Sequence, residues 1–263
     1  MRKPDELREL TESYLAELAL TPELHEQAPE LHEQAASVRY ALMVGGKRVR
    51  PVICLATAEA AGADAERALP AAAAVELVHN FSLVHDDLPA LDNDDVRRGN
   101  PSVWAQYGEA VAILAGDALL AEAFRLALSY PTPAVGRELA QATLGMIGGQ
   151  YLDITGTAPD EATLHRLKTG CLFAASVALG LWAAEVPERE QRPWRAFGDE
   201  LGLLFQIVDD ILDGDGYVLA HGRDGARALA DEAADRAHAR LDDIPADTSV
   251  LSEIVAGLAA RTS

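Results

Sequence analysis

The sequence predicts an all-α protein, and three observations carry that reading. Alanine, leucine and glutamate, all strong helix formers, are abundant among the 263 residues. Aromatic residues are only 5%, and alternating runs rich in Val, Ile and Thr are hard to find. Apolar residues recur instead at three- and four-residue spacing, the stripe of an amphipathic helix. With 49% hydrophobic and 24% charged residues, a disordered or collagenous chain is excluded. No repeat, low-complexity tract or long linker interrupts the pattern, so a single domain over residues 1–263 is expected.

The elements follow in order. Leu7, Leu10, Tyr14, Leu15 and Leu18 form the stripe of a first helix, and Pro22 and Pro29 bracket the linker after it. A second helix covers 31–44 and stops at Gly45-Gly46. Pro51 suits the first turn of a third, which runs to Gly62. Residues 66–87 make a long apolar helix that Pro89 ends or kinks. Arg97–Pro101 is turn chemistry. Helices follow at 109–130, 134–151, 160–184 and 189–213, with Pro131, Pro133, Pro159, Pro187 and Pro193 between them or in their first turns. Two last helices cover 223–243 and 249–261.

Lys and Arg total 22 against 42 Asp and Glu, a formal net charge of −20. Such a surface repels phosphate backbones and argues against a nucleic-acid partner. To act on an anion, so acidic a chain needs divalent cations or a local basic pocket. Cys54 and Cys171 are too few for a disulfide scaffold or zinc framework, and their apolar surroundings suggest buried free thiols in a reducing compartment. The apolar stretch Cys171–Ala184 is too short to cross a membrane. The first ten residues turn acidic at once, without an apolar signal core. A soluble, cytoplasmic protein without stable membrane insertion is expected.

Two aspartate clusters carry the chemical signal. The first is Asp86, Asp87, Asp92, Asp94 and Asp95, directly after an apolar helix. An unbroken helix would put Asp86 and Asp92 on different faces, so the bend at Pro89 is what would bring both to one ion. A solvated helix-terminal loop is the equal alternative. The second is Gln206, Asp209, Asp210 and Asp213. Gln206, Asp209 and Asp213 share one helical face. Apolar neighbours almost all round this helix predict that it is buried, and buried like charges need a cation or a basic partner. A metal site is favoured over a pair of buried salt bridges. All-oxygen ligands suit Mg²⁺, which prefers to bridge carboxylates to phosphates, and no histidine in either set argues against zinc or di-iron chemistry. A diphosphate is the expected ligand.

Basic groups support this. Gly45-Gly46-Lys47-Arg48-Val49-Arg50 places three cations at a helix start, where free N–H groups favour an anion. Arg97-Arg98 follow the first cluster, and Lys168-Thr169 lie in an apolar helix. The competing readings are a solvated cap for Lys47–Arg50 and salt bridges from Arg97-Arg98 to Asp92–Asp95.

The strings GGKRVRP, HNFSLVHDDLPALDNDDVRRGNP, GGQYLDI, LKTG and FQIVDDILD occur in the order seen in the trans-isoprenyl diphosphate synthases of the polyprenyl synthetase family. The chain resembles that family over about residues 40–215. The resemblance implies an isoprenoid-synthase-type helical bundle around a central cavity, usually a homodimer. It implies head-to-tail condensation of isopentenyl diphosphate with an allylic diphosphate, with two or three Mg²⁺ ions. It implies metal ligation by Asp86, Asp92 and Asp209, with Asp87 and Asp213 beside them. An allylic diphosphate site would use Arg97, Lys168, Thr169, Gln206 and Asp210, and an isopentenyl diphosphate pocket Gly46, Lys47, Arg50, His79 and Arg98. Asp86, Asp92, Arg97, Lys168 and Asp209 would carry catalysis. Phe81 and Ser82, five and four positions before Asp86, resemble the floor of short-chain, farnesyl-type members, so the product expected is C15, with C20 next.

The sequence departs from the family after Asp213. A loop that usually holds two more lysines is missing, and no lysine follows Lys168. Arg223 and Arg227 are the candidate replacements. Two other readings share parts of the pattern. A class I terpene cyclase needs no second diphosphate pocket, and its second motif differs from DDILD. A non-catalytic subunit of a heteromeric synthase tends to lose its aspartate motifs, and both are intact here.

Overall fold

The computed structural model describes residues 1–20, Ala28 and residues 31–262. The linker expected between Pro22 and Pro29 lies outside the described residues. The helices are α1 (Pro4–Glu17), α2 (His32–Met43), α3 (Val49–Ala60), α4 (Ala65–Asp86), α5 (Val103–Tyr107) and α6 (Glu109–Ala127). They continue with α7 (Ala134–Thr155), α8 (Glu161–His165), α9 (Cys171–Ala183), α10 (Arg192–Asp213), α11 (Tyr217–Asp242) and α12 (Ser249–Ala259). A short antiparallel hairpin, β1 (Val96–Arg97) with β2 (Asn100–Pro101), follows the first aspartate cluster. It forms where the sequence suggests only a turn, because Arg98 and Gly99 both take positive φ (54° and 77°), the twist a two-residue hairpin needs.

Two helices make the centre. α4 packs on α3 and α6, and α9 packs on α3, α4, α7 and α10. α9 is apolar all round and buried from Leu172 to Ala183 apart from a few flanking positions, as a helix enclosed by others must be. Alanines at positions 71–74 are all buried in α4, so neighbouring helices approach closely. Gly180 permits the same closeness between α9 and α3: a Cβ there would strike the Cys54 carbonyl. Pro70 inside α4 removes one helix N–H. Beside it the Tyr130 hydroxyl bridges the next helical step, donating to Arg67 O at 2.7 Å and accepting from Ala71 N–H at 3.2 Å.

Most expected boundaries hold within a turn, with four differences. The helix expected at 160–184 is interrupted: residues Arg166–Gly170 form a π-helical turn between α8 and α9. The cause is close backbone packing on both sides. Gly149 of α7 abuts Lys168 and Leu167, and Gly202 of α10 lies against Gly170. α10 is amphipathic rather than buried all round: Asp209, Leu212 and Asp213 are exposed. The helix expected from 223 begins at Tyr217 and is broken at Gly222 (φ 72°, ψ 164°). Its early start follows from the Asp210 carboxylate, which accepts the Tyr217 N–H at 2.9 Å. A short helix, α5, precedes α6, which ends at Ala127 rather than 130.

Both cysteines are free, Cys54 buried and Cys171 half-buried. Burial pushes both thiols up, Cys171 to about 11. No helix among the described residues is long and apolar enough to cross a membrane.

Candidate active site

A cavity of about 990 Å³ opens between α4, α7, the π turn, α9 and α10. One end is cationic. Gly45 (φ 92°) turns the chain after α2, and Lys47, Arg48 and Arg50 enter α3 at the cavity wall. The hairpin tip aims Arg98 back at this turn, where its guanidinium donates to the Gly45 carbonyl. Gly46 lies directly under that guanidinium; a Cβ there would come within 2.7 Å of it. Arg50 stacks its guanidinium 4.5 Å above the Phe173 ring, with Phe205 at 5.8 Å, and its Nε is buried without a partner. His79 faces the same space from α4. Burial, then the charges of Arg50, Arg98, Arg48 and Arg97, hold its pKa well below the usual value, so its imidazole is neutral.

Carboxylates line the same cavity. Asp86 closes α4, and the following loop doubles back: Asp92 N–H donates to Asp86 O (2.9 Å) and Asp94 N–H to Asp87 O (3.1 Å). The bend at Pro89 therefore does place Asp92 beside Asp86. Burial and the Asp92 charge push the Asp86 carboxyl up to about 6. Asp209 lines the same cavity from α10, within reach of the Lys47 and Arg50 charges; although its tip meets solvent, partial burial and the Asp213 charge raise its pKa. Lys168 and Thr169 reach the cavity from the π turn, and Lys168 pairs with Asp153 of α7.

The expected site residues fall into two groups. Gly46, Lys47, Arg50, His79, Arg98, Asp86, Arg97, Lys168, Thr169, Asp209, Phe81 and Ser82 all line the one cavity. Asp92 and Asp213 are exposed and outside the lining, but their charges act on Asp86 and Asp209. Asp87, Gln206 and Asp210 face elsewhere. Asp87 is 2% exposed and pairs with Arg97, whose Nε donates to Oδ1 at 3.0 Å. Arg97 thus does form an acidic pair, chiefly with Asp87, while Arg98 is drawn to Gly45. Gln206 donates to Asp210 at 2.6 Å rather than facing Asp209, and Asp210 also caps Tyr217. Arg223 and Arg227 are not among the lining residues. Only Gly214, Asp215 and Gly216 separate α10 from α11, so the connection is as short as the sequence suggests.

Sequence reasoning missed Arg48 and Glu76. Arg48 is no solvated cap; it is 2% exposed and bonded to Glu76 (2.7 Å), Glu12 (2.8 Å) and Leu42 O (2.5 Å). The available signal was Glu76 itself, a lone acid in the apolar run Ala71–Val78. The lining residues Gln150, Tyr151, Ile154, Met146 and His85 were also not singled out.

The donor set fits a hard divalent cation. Two carboxylates with raised pKa face one cavity, each beside a further carboxylate, and all donors are oxygens. Glu161, His165 and Asp210 also bring ligand atoms within 4.8 Å of one another, away from this cavity's lining.

A family model described as polyprenyl synthetase matches residues 32–226. The chain is 44% identical over 192 residues to a geranylgeranyl diphosphate synthase of Cyanophora paradoxa, covering 67% of this chain and 64% of that one. It is 40% identical over 195 residues to a farnesyl diphosphate synthase of Bacillus subtilis, covering 68% and 66%. The chain therefore spans about two-thirds of these curated relatives. Among solved structures, an apo FPP/GFPP synthase from Zymomonas mobilis superposes with a TM-score of 0.82 at 32% identity, over 97% of this chain and 99% of that one.

Proposed function

This chain belongs to the polyprenyl synthetase family, and from that premise we propose that it is a trans-prenyltransferase. It condenses isopentenyl diphosphate head-to-tail with an allylic diphosphate. The observation that carries the proposal is one cavity lined together by a cluster of cations, by the carboxylates Asp86 and Asp209, and by apolar side chains.

Asp86, Asp92 and Asp209 would hold Mg²⁺, with Asp213 beside them, and the ions supply Lewis acidity to the departing diphosphate when bound. Lys168 binds that diphosphate, exchanging Asp153 for it, and neutralises the charge that develops as the allylic C–O bond breaks. Asp87 holds the Arg97 guanidinium toward the same group. Lys47, Arg50 and Arg98 seat the isopentenyl diphosphate, and neutral His79 contributes an N–H without adding charge. That grip places the isopentenyl double bond against the allylic carbon. A carbon–carbon bond forms, and one proton leaves to the departing pyrophosphate. Phe81, Met146, Leu172 and Phe205 line the reacting space and exclude water from the cation.

Phe81 is 7% exposed, lines the cavity, and meets the His85 ring edge-on at 4.8 Å. This braced pair supports a short product, farnesyl diphosphate (C15), ahead of C20. A homodimer is proposed as well: Ile113 and Leu114 of α6 and Leu144, Ile147, Tyr151 and Ile154 of α7 are large exposed apolar groups on adjacent helices. The direct test is initial-rate release of pyrophosphate. Release should require Mg²⁺ and both substrates together. Release from the allylic diphosphate alone would instead favour a cyclase.

A further inference from the structure

At the cationic end, Glu76 does not belong with the groups that would contact a diphosphate, yet it is buried among them. It is 2% exposed, in a run of α4 that is otherwise apolar from Ala71 to Val78. Its Oε1 accepts from Arg48 Nη1 at 2.7 Å and from Asn80 Nδ2 at 3.2 Å. Arg48 itself is fixed from three sides, by Glu76, by Glu12 of α1 and by the Leu42 carbonyl. Its backbone is held at φ 48°, the left-handed region that a non-glycine residue avoids. The clamp therefore sets the geometry of the turn that delivers Lys47 and Arg50.

Glu76 also reaches further than Arg48. Its charge acts on Arg50 and on Arg98, both of which line the cavity. These guanidinium groups crowd one another: Arg98 opposes Arg50, Arg48 opposes Arg98, and all three depress His79. Asp209 acts on Arg50 from α10, and Glu12 acts on Arg48 from a site 38% exposed. Glu76 lines the cavity with all three, and its charge acts on each. Arg48 is buried, Arg50 half-buried and Arg98 exposed, and cations gathered at one cavity wall repel one another unless an anion is present. A substrate diphosphate supplies that anion only while it is bound.

We propose that Glu76 is a resident counter-ion of the second diphosphate subsite. It keeps Arg48, Arg50 and Arg98 assembled when the subsite is empty, and its permanent negative charge weakens the hold on a bound diphosphate so that the site remains reversible. The inference rests on the reading of this end as an isopentenyl diphosphate pocket. Glu76 lines the cavity, but as an anion beside an anion's subsite it acts through the guanidinium groups, as a positioning and affinity-setting residue.

The test is calorimetric titration of the full chain with inorganic pyrophosphate and, separately, with isopentenyl diphosphate. Divalent cations are omitted and ionic strength is low, so the cationic end alone is read. Glu76→Gln keeps an acceptor for Arg48 and removes only the charge. It should bind both anions at least fivefold more tightly than the wild-type chain, and the gain should shrink as salt is added. Unchanged or weaker binding by folded Glu76→Gln would overturn the inference. Glu76→Asp decides if that variant fails to fold. It keeps the charge but shortens the arm, so its affinity should stay within threefold of wild type. A loss beyond tenfold would mean that Glu76 acts by reach and not by charge, and would overturn the inference too. A wild-type chain that binds neither anion would remove the subsite itself, and with it the reading beneath.

Discussion

Gly149 is where the fold and the proposed chemistry meet most tightly. It lies in α7 against the π turn that carries Lys168 and Thr169. A Cβ at this position would sit 2.4 Å from Lys168 N, 2.7 Å from Lys168 Cα and 2.8 Å from the Leu167 carbonyl carbon. Ordinary contact begins at 3.4 Å, so the turn must retreat by about 1 Å at its closest atom (3.4 minus 2.4). The obstacle is backbone and cannot rotate away. Overpacking of this kind costs about 1–3 kcal/mol. A displacement near 1 Å at a substrate-positioning group costs on the order of 100-fold in rate. Gly149→Ala is therefore expected to lower Tm and to lower kcat/KM for the allylic diphosphate by roughly 30- to 100-fold. Gly145→Ala, about one turn earlier in α7, is the control. Its Cβ would meet Cys171 at 3.4 Å, an ordinary contact. Its stability should rise by up to about 1 kcal/mol, the usual gain of alanine over glycine in a helix, with activity retained. The assay is steady-state kinetics with thermal unfolding on both variants. Full activity and unchanged Tm in Gly149→Ala would refute the claim that this glycine sets the position of Lys168.

Phe81→Ala opens the cavity beneath the Phe81–His85 contact, and products resolved by mass should shift from C15 toward C20 or longer; unchanged length would remove Phe81 as the floor. The Asp86 carboxyl, raised from 3.8 to about 6, predicts a pH dependence with a definite sign. The folded state holds a proton that the unfolded state releases, so without divalent cations stability is greatest below about pH 4 as far as this group is concerned and declines as pH rises toward 6. Metal binding needs the carboxylate, so Mg²⁺ affinity should fall as pH drops through about 6, and calorimetric titration at pH 5 and pH 7.5 would read it. Equal Mg²⁺ affinity at both would contradict the assignment of Asp86 as a ligand.

The helices are legible because prolines and glycines punctuate the sequence and the apolar stripes between them are long. The π turn is not, since nothing in LHRLKTG opposes a regular helix; the close approach of Gly149 and Gly202 imposes it. The aspartates at 86, 92 and 209 are legible from clustering and the proline bend. Neighbours in the same motif are not equivalent, because one residue along a helix is a rotation of about 100°. Asp87 thus points into the protein toward Arg97, and Asp210 caps Tyr217. Arg48 escapes because an arginine at a glycine turn reads as solvated until Glu12 and Glu76, 36 residues and 28 residues away, are seen to enclose it.

The central claim is that one cavity joins two diphosphates head to tail. The measurement that tests it most directly is incubation of the chain with Mg²⁺, isopentenyl diphosphate and, separately, dimethylallyl, geranyl or farnesyl diphosphate, with products identified by mass. The account predicts diphosphates lengthened by five-carbon units, ending at C15. An untouched primer in every incubation, or a cyclised hydrocarbon in place of a longer diphosphate, would contradict it.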